Sequence, residues 1–364
     1  MPKNYSQMSR FHPLTIKKIT SETADCISLT FEVPVDKRDI FHFIQGQFLT
    51  FRREIGGEEI RRSYSICSSP VEEDLSVAIK ILPDGKFSSF ARRYLKPGDE
   101  LEAMPPSGRF YTPLDHANKK NYVAIAAGSG ITPILSLIKT ILLTEKRSSV
   151  TLLYGNRDKQ SIIFKSQLDA LKNKYIGRLA VFYLFSREQT DSELMSGRID
   201  RKKLNFFLGH IINPKLIDEL FICGPEPMIM ETREIFISEN MDPKHIHFEL
   251  FSGSGSLSRT AHKNIDMESG KMSKVKIKID GVCSVLEVPF DGESILDAAL
   301  HIGADLPFAC KGGVCTTCRA KLEQGEIAMD LNYGLESDEI ENGFVLTCQA
   351  HPRSGELFLN FDVK

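Results

Sequence analysis

At 364 residues the chain is too long for one ordinary hydrophobic core, so two or three domains are expected. A content of 41% hydrophobic and 26% charged residues, with a formal net charge of -2, excludes the disordered and fibrous classes and supplies no basic excess for nucleic acid. The start MPKNYSQMSRFHPL lacks an apolar run behind a basic segment, and stretches such as IAAGSGITPILSLI are broken by Gly, Ser, Thr and Pro; neither secretion nor a membrane span is expected. A cytoplasmic location is expected, in which eight cysteines suit metal binding or catalysis better than a disulfide framework.

Residues 9–113 alternate as short β-rich runs, among them DCISLTFEV, GQFLTFRR, RRSYSIC and LSVAIKIL, separated by Pro and Gly turns. An antiparallel β-barrel or sandwich fits. Within it, Arg62, Ser63, Tyr64 and Ser65 bring together a cation, an aromatic ring and two hydroxyls, the groups that hold a phosphate, stack on an isoalloxazine and hydrogen-bond its edge. The segment Gly85-Lys86-Phe87-Ser88-Ser89 then opens a helical stretch, a second place for a phosphate.

Over residues 114–251 apolar strands (NYVAIAAG, SVTLLYGN, RLAVFYLFS, LIDELFICG) alternate with helical periods (ITPILSLIKTILLTE, SIIFKSQLDALKNKY, PEPMIMETREIFISEN), the pattern of an α/β domain with a parallel sheet. Gly128, Gly130, Thr132 and Pro133 lie between the first strand and its helix, where small residues let the backbone approach a pyrophosphate. Cys223, Gly224 and Pro225 end a later strand, the edge at which open α/β sheets bind ligands. Cys223 reads either as a neighbour of a nicotinamide or as an ordinary buried thiol.

Residues 252–273 are rich in Ser and Gly and lack an apolar period, the composition of a flexible linker. The segment 274–364 begins with alternating strands, carries one helix around ESILDAALHIG, and then presents Cys310, Cys315, Cys318 and Cys348 in a C-x4-C-x2-C-x29-C spacing. That is the plant-type [2Fe-2S] pattern; structural zinc sites usually bring their ligands in two separated pairs. Cys26, Cys67 and Cys283 have no ligand spacing and read as small buried hydrophobes. This last segment has 8 Lys+Arg against 15 Asp+Glu, a net of -7, which leaves +5 for residues 1–273. An acidic module tethered to a mildly basic body suits weak, steered docking, internal or with an outside partner, and Glu336, Asp338, Glu339 and Glu341 are candidates for that face.

Taken together, RSYS (62–65), GKFSS (85–89), GSGITP (128–133), YGNR (154–157), CGP (223–225), HFELF (247–251) and the four cysteines resemble the ferredoxin-NADP reductase superfamily, over nearly the whole chain. The resemblance implies three domains: an antiparallel β-barrel for FAD, an α/β parallel-sheet domain for NADPH, and an α+β ferredoxin-like (β-grasp) domain for a [2Fe-2S] cluster. It further implies that Arg62, Tyr64 and Ser65 contact flavin, that Lys80, Phe87, Ser88 and Ser89 line its ribityl and phosphate, and that Glu249 and Phe251 stand beside the ring. Tyr64, Ser65, Cys223 and Glu249 are thereby the residues nearest the hydride transfer. Ser186 and Arg187 match the position that binds the 2'-phosphate of NADPH, with Arg157 as a second charge; no acidic residue, the usual hook for NADH, ends that strand. More narrowly, LYGNRDKQSIIF, ADLPFACKGGVCTTC and MDLNYGLESDEI look like the reductase subunits of phenylacetyl-CoA epoxygenases, which feed a separate di-iron oxygenase. Service to another oxygenase or a desaturase, and a redox-responsive binding protein, are the competing readings.

Overall fold

A computed structural model of the protein describes residues 10–190, 192–251 and 270–363. Six antiparallel strands form the first unit: β1 (His12–Thr23), β2 (Cys26–Glu32), β3 (Phe48–Ile55), β4 (Glu58–Ser65), β5 (Leu75–Lys80) and β6 (Glu100–Ala103), in spatial order β4-β3-β6-β1-β2-β5. A bridge between Ile66 and Val77 joins the end of β4 to β5 and closes the sheet into a barrel. Its interior is filled by inward residues of successive strands, including Leu14, Leu29, Phe51 and Val77, all at most 2% exposed. Each such side chain contributes about 1.5–3 kcal/mol by leaving water. Helix α1 (Lys86–Tyr94) caps the barrel with Phe87 and Ala91 facing in.

The second unit is a parallel sheet of β7 (Asn121–Ala127), β8 (Ser149–Asn156), β9 (Leu179–Phe185), β10 (Glu219–Gly224) and β11 (Ile246–Leu250), in the order β11-β10-β7-β8-β9. Side-chain period two divides β7 between two cores. Tyr122, Ala124 and Ala126 pack with α2 (Ile131–Thr144) and α3 (Lys165–Lys174), whereas Val123 and Ile125 pack with α4 (Arg201–His210) and α5 (Glu226–Ser238). The order reverses between β7 and β10, so the two glycine turns that follow these strands meet at the topological switch point.

The third unit is a mixed sheet of β12 (Met272–Ile279), β13 (Val282–Pro289), β14 (Arg319–Gln324), β16 (Phe344–Leu346) and β18 (Glu356–Asn360), ordered β13-β12-β18-β14-β16. A small pair, β15 (Ile327–Met329) with β17 (Ala350–Pro352), and two short helices, α6 (Ile295–His301) and α7 (Ser337–Glu341), complete it. Between α6 and β14 the chain runs from 302 to 318 without helix or strand, a length usually retained for a function. Residues 252–269 of the expected linker lie outside the described residues, and its last two, Met272 and Ser273, already belong to β12, with Ser273 fully buried. Cys26 and Cys67 are buried as expected, and burial pushes both thiols up to about 12. Cys283 is exposed instead: it falls on the outer edge strand β13, where the expectation of burial fails. No helix among the described residues is long and apolar enough to cross a membrane.

Candidate active site and cluster loop

Strand β4 carries the RSYS segment with alternating side chains. Arg62 and Tyr64 share one face; Ser63 and Ser65 share the other. The Tyr64 ring lies 5.7 Å from that of Phe87. The Ser65 hydroxyl donates to Glu249 Oε2 at 3.2 Å, bridging the barrel to β11 of the second unit. Burial drives the Glu249 carboxyl up to about 8, with the Ser65 hydroxyl pulling slightly the other way, so at neutral pH this carboxyl holds a proton. Pairing of β10 with β11 places Cys223 beside Glu249, and burial raises this thiol well above its ordinary value. Lys80, at the end of β5, directs its Nζ to within 3.5 Å of where a Cβ on Gly128 would stand. Barrel residues and the nucleotide turn thus converge on one place.

Several expected contacts take a different form. Phe87 is 1% exposed in the barrel core, so it can offer a cofactor its main chain but not its ring. The Ser88 hydroxyl is engaged locally, donating to Gly85 O at 3.2 Å and accepting from the Leu82 N–H at 3.2 Å; it shapes the start of α1. Ser89 is half-buried in that first turn, and its N–H returns to Gly85 O. The Thr132 hydroxyl closes the glycine turn onto Ser129 O at 3.0 Å, and Pro133 is buried in the first turn of α2, so both build the turn from within. Cys223 has no exposed surface, which leaves its main chain as the part a ligand can reach.

At the switch point the backbones are in contact. A Cβ on Gly130 would stand 2.1 Å from Cys223 O, which no side chain tolerates. Gly224 is hemmed in by Ala127 and Met228, and Pro225 opens α5. At the carboxyl end of β8, Asn156 is buried and its Oδ1 has no partner among the described residues, an orphaned acceptor at the edge where a nucleotide would lie. Beyond it, the Arg187 N–H bonds to Arg157 O at 2.8 Å, so the expected phosphate-binding pair shares one ladder, with Ser186 and Arg187 both exposed. Arg157 is committed to Asp25 at 2.6 Å, which weakens its claim as a second phosphate ligand. Phe251 follows β11 and is 40% exposed.

In the cluster loop the four thiols form two contacting pairs, Cys310 with Cys315 and Cys318 with Cys348. Hydrogen bonding from the Cys315 thiol, aided by the N–H groups of Gly312, Cys315 and Val314, holds Cys310 down at about 6. The Cys318 thiol lowers Cys348 in the same way, and the Gln349 amide lies 3.6 Å from the Cys348 sulfur. No three His, Cys, Asp or Glu donors among the described residues gather around a single ion. Two thiol pairs facing main-chain donors suit a binuclear cluster, two sulfurs to each iron, better than one zinc. Gly313 has φ +71°, and a Cβ there would stand 2.8 Å from Leu331 O, so the loop's tight wrap requires glycine. Phe48 of the barrel packs directly on Ala309, Cys310 and Cys315.

Several residues of the junction give no sign of their role in the sequence. Arg61, Thr50 and Phe48 carry no motif signal, and Asn156 is visible only as part of YGNR. Alternation along β4 is the usable clue to Arg61, since it must point away from Arg62. Asp338 and Glu339, candidates for a docking face toward an internal or an outside partner, pair with Arg109 of the first unit at 3.4 and 3.0 Å, and Glu339 also meets Arg319. The charge asymmetry is spent at least partly on an internal contact; Glu336 and Glu341 stay exposed.

A closed antiparallel barrel, a parallel sheet with glycine turns at its switch point, and a four-cysteine loop on a β-grasp sheet define a reductase that uses flavin, nicotinamide and a [2Fe-2S] cluster. The chain matches the profiles of the oxidoreductase FAD-binding domain at 13–123, the oxidoreductase NAD-binding domain at 124–234 and the 2Fe-2S iron-sulfur cluster binding domain at 277–353. It is 44% identical over 357 residues to one component of the 1,2-phenylacetyl-CoA epoxidase of Escherichia coli (strain K12), covering 98% of this chain and 99% of the relative. It is 32% identical to the ferredoxin reductase component of the 3-ketosteroid-9-alpha-monooxygenase of Rhodococcus rhodochrous, covering 97% of each. Phthalate dioxygenase reductase shares the architecture with a TM-score of 0.58 at 23% identity, over 96% of this chain and 98% of that one. The chain therefore belongs to the ferredoxin-NADP reductase type of flavoprotein with a C-terminal [2Fe-2S] domain, and it is an NAD(P)H oxidoreductase with FAD, nicotinamide and cluster sites.

Proposed function

We propose that this chain is the reductase component of an oxygenase system, and within that class the one that serves a phenylacetyl-CoA epoxidase with a di-iron oxygenase, drawing on NADPH. The observation that carries the reading is end-to-end similarity, at 44% identity, to one component of a 1,2-phenylacetyl-CoA epoxidase. Other relatives along the whole chain are named as reductase components of monooxygenases. Natural units for this work are 9–113 for flavin, 114–251 for the nucleotide and 272–364 for the cluster.

Bound flavin supplies the conversion from two-electron to one-electron traffic. The chain supplies placement. Arg62, Tyr64, Ser65, Lys80 and the main chain of 85–89 would hold the flavin; Gly128, Gly130, Gly224, Pro225, Ser186 and Arg187 would hold the nucleotide. Glu249, protonated at neutral pH and hydrogen-bonded to Ser65, keeps a proton at the junction of the two sites. Phe48 excludes water between the barrel and the Cys310–Cys315 edge of the loop. Exposure of Arg187, with no carboxylate ending β9, supports NADPH.

Reconstitution tests the partner. The loaded chain is mixed with the oxygenase components of a phenylacetyl-CoA epoxidase or, in parallel, of a 3-ketosteroid monooxygenase, and NADPH-driven product is measured. Turnover with the first and at most background with the second supports the assignment; the reverse pattern overturns it.

A further inference from the structure

Resting on the reading that electrons pass from flavin to cluster within this chain, we infer that Arg61 is a positioning residue for that transfer, a clamp that fixes the cluster loop against the flavin barrel. Its side chain is 5% exposed although it carries a permanent charge. It donates to Glu59 at 2.7 Å within the barrel and, across the junction, to Leu306 O at 3.1 Å and Asp305 at 3.2 Å. Its guanidinium also lies over Phe308 at 4.2 Å and over Phe11 at 5.1 Å. A buried guanidinium with three acceptors and two aromatic faces is held in one geometry, which only the fork of arginine provides.

The placement along the chain gives this clamp its meaning. Arg61 directly precedes the flavin motif 62–65 on β4 and faces away from Arg62 and Tyr64, on the side of Ser63 and Ser65, and the groups it grips, residues 305, 306 and 308, immediately precede Cys310. Thr50, which hydrogen-bonds Ser63 at 2.9 Å and Thr317 at 3.4 Å, forms a second tie beside Cys318. One strand thus carries Arg62 and Tyr64 of the flavin motif on one face and the grip on the cluster loop on the other.

The test uses the full-length chain loaded with FAD and cluster, anaerobic rapid mixing with NADPH, and separate detection of flavin and cluster bleaching. Arg61→Lys keeps the charge but loses the fork. Asp305→Lys, at a position 80% exposed and safe for folding, sets a like charge against Arg61. Loss of charge-assisted bonds of this kind is expected to slow cluster bleaching by about tenfold in Arg61→Lys and less in Asp305→Lys. Flavin bleaching, cofactor content and ferricyanide reduction, which needs flavin alone, should remain at wild-type levels. Cluster bleaching at the wild-type rate in both variants overturns the clamp. Slowing of flavin and cluster bleaching together in both variants also overturns it, because that marks a general structural role. Absence of cluster bleaching in the wild-type chain would instead overturn the underlying reading of the reductase.

Discussion

The cluster loop and the flavin–nucleotide pocket solve the same problem, holding a redox group against protein, by opposite means. Three of the four cluster cysteines stand within nine residues, and the main-chain N–H groups of Gly312 and Cys315 in the same loop reach the Cys310 sulfur. The pocket gathers Ser65, Lys80, Gly128, Cys223 and Glu249 from β4, β5, the turn after β7, β10 and β11 of two units. A local site depends on its own loop; a composite site depends on every strand register that feeds it.

That difference can be broken first at the cluster. Cys318→Ser should lower NADPH-driven cytochrome c reduction by more than about a hundredfold while flavin reduction by NADPH stays near wild type, because the loop's contribution is self-contained. Loss of both in a folded, flavin-loaded variant would erase the distinction. In the composite site, Gly130→Ala pushes a methyl into Cys223 O and must part the two turns. A destabilisation of about 1–3 kcal/mol by denaturant unfolding is expected, together with slower flavin reduction and an intact cluster spectrum.

Legibility follows the same line. The cysteines are readable because their spacing is a local property, and the glycine turns because they punctuate strand-to-helix junctions. The Phe87 ring turns into the barrel core and the Ser88 hydroxyl bonds within its own turn, details of side-chain direction that a motif does not specify. Alternation tells which way Arg61 faces, but the partners of Arg61 and Arg109 cannot be found from patterns: they lie 245 and 229 residues away, and only assembly of the units reveals the pairing. The acidic helix around Asp338 and Glu339 is recognisable as a docking surface, but its internal partner is not.

Two smaller effects sharpen the account of the pocket. Arg187→Ala should raise the KM for NADPH by about tenfold with little change for NADH, as expected for loss of one charged phosphate contact. Arg157→Ala should do less, because that guanidinium is already paired with Asp25. Glu249 gives a pH signature. Its folded carboxyl titrates near 8 against an ordinary 4.5, so between these values the folded chain keeps a proton that the unfolded chain releases, and stability falls as pH rises through that window. Thermal unfolding from pH 5 to 9 should show this slope, worth at most a few kcal/mol, and Glu249→Gln should flatten it.

The central claim is that nicotinamide, flavin and cluster form one electron path inside this chain. Visible absorption spectra of the purified, reconstituted protein, recorded during anaerobic titration with NADPH and separately with NADH, test it most directly. The account predicts flavin and iron-sulfur bands that both bleach, at lower concentrations of NADPH than of NADH. A protein that still lacks either chromophore after reconstitution, or a cluster band that persists after the flavin is fully reduced, would contradict it.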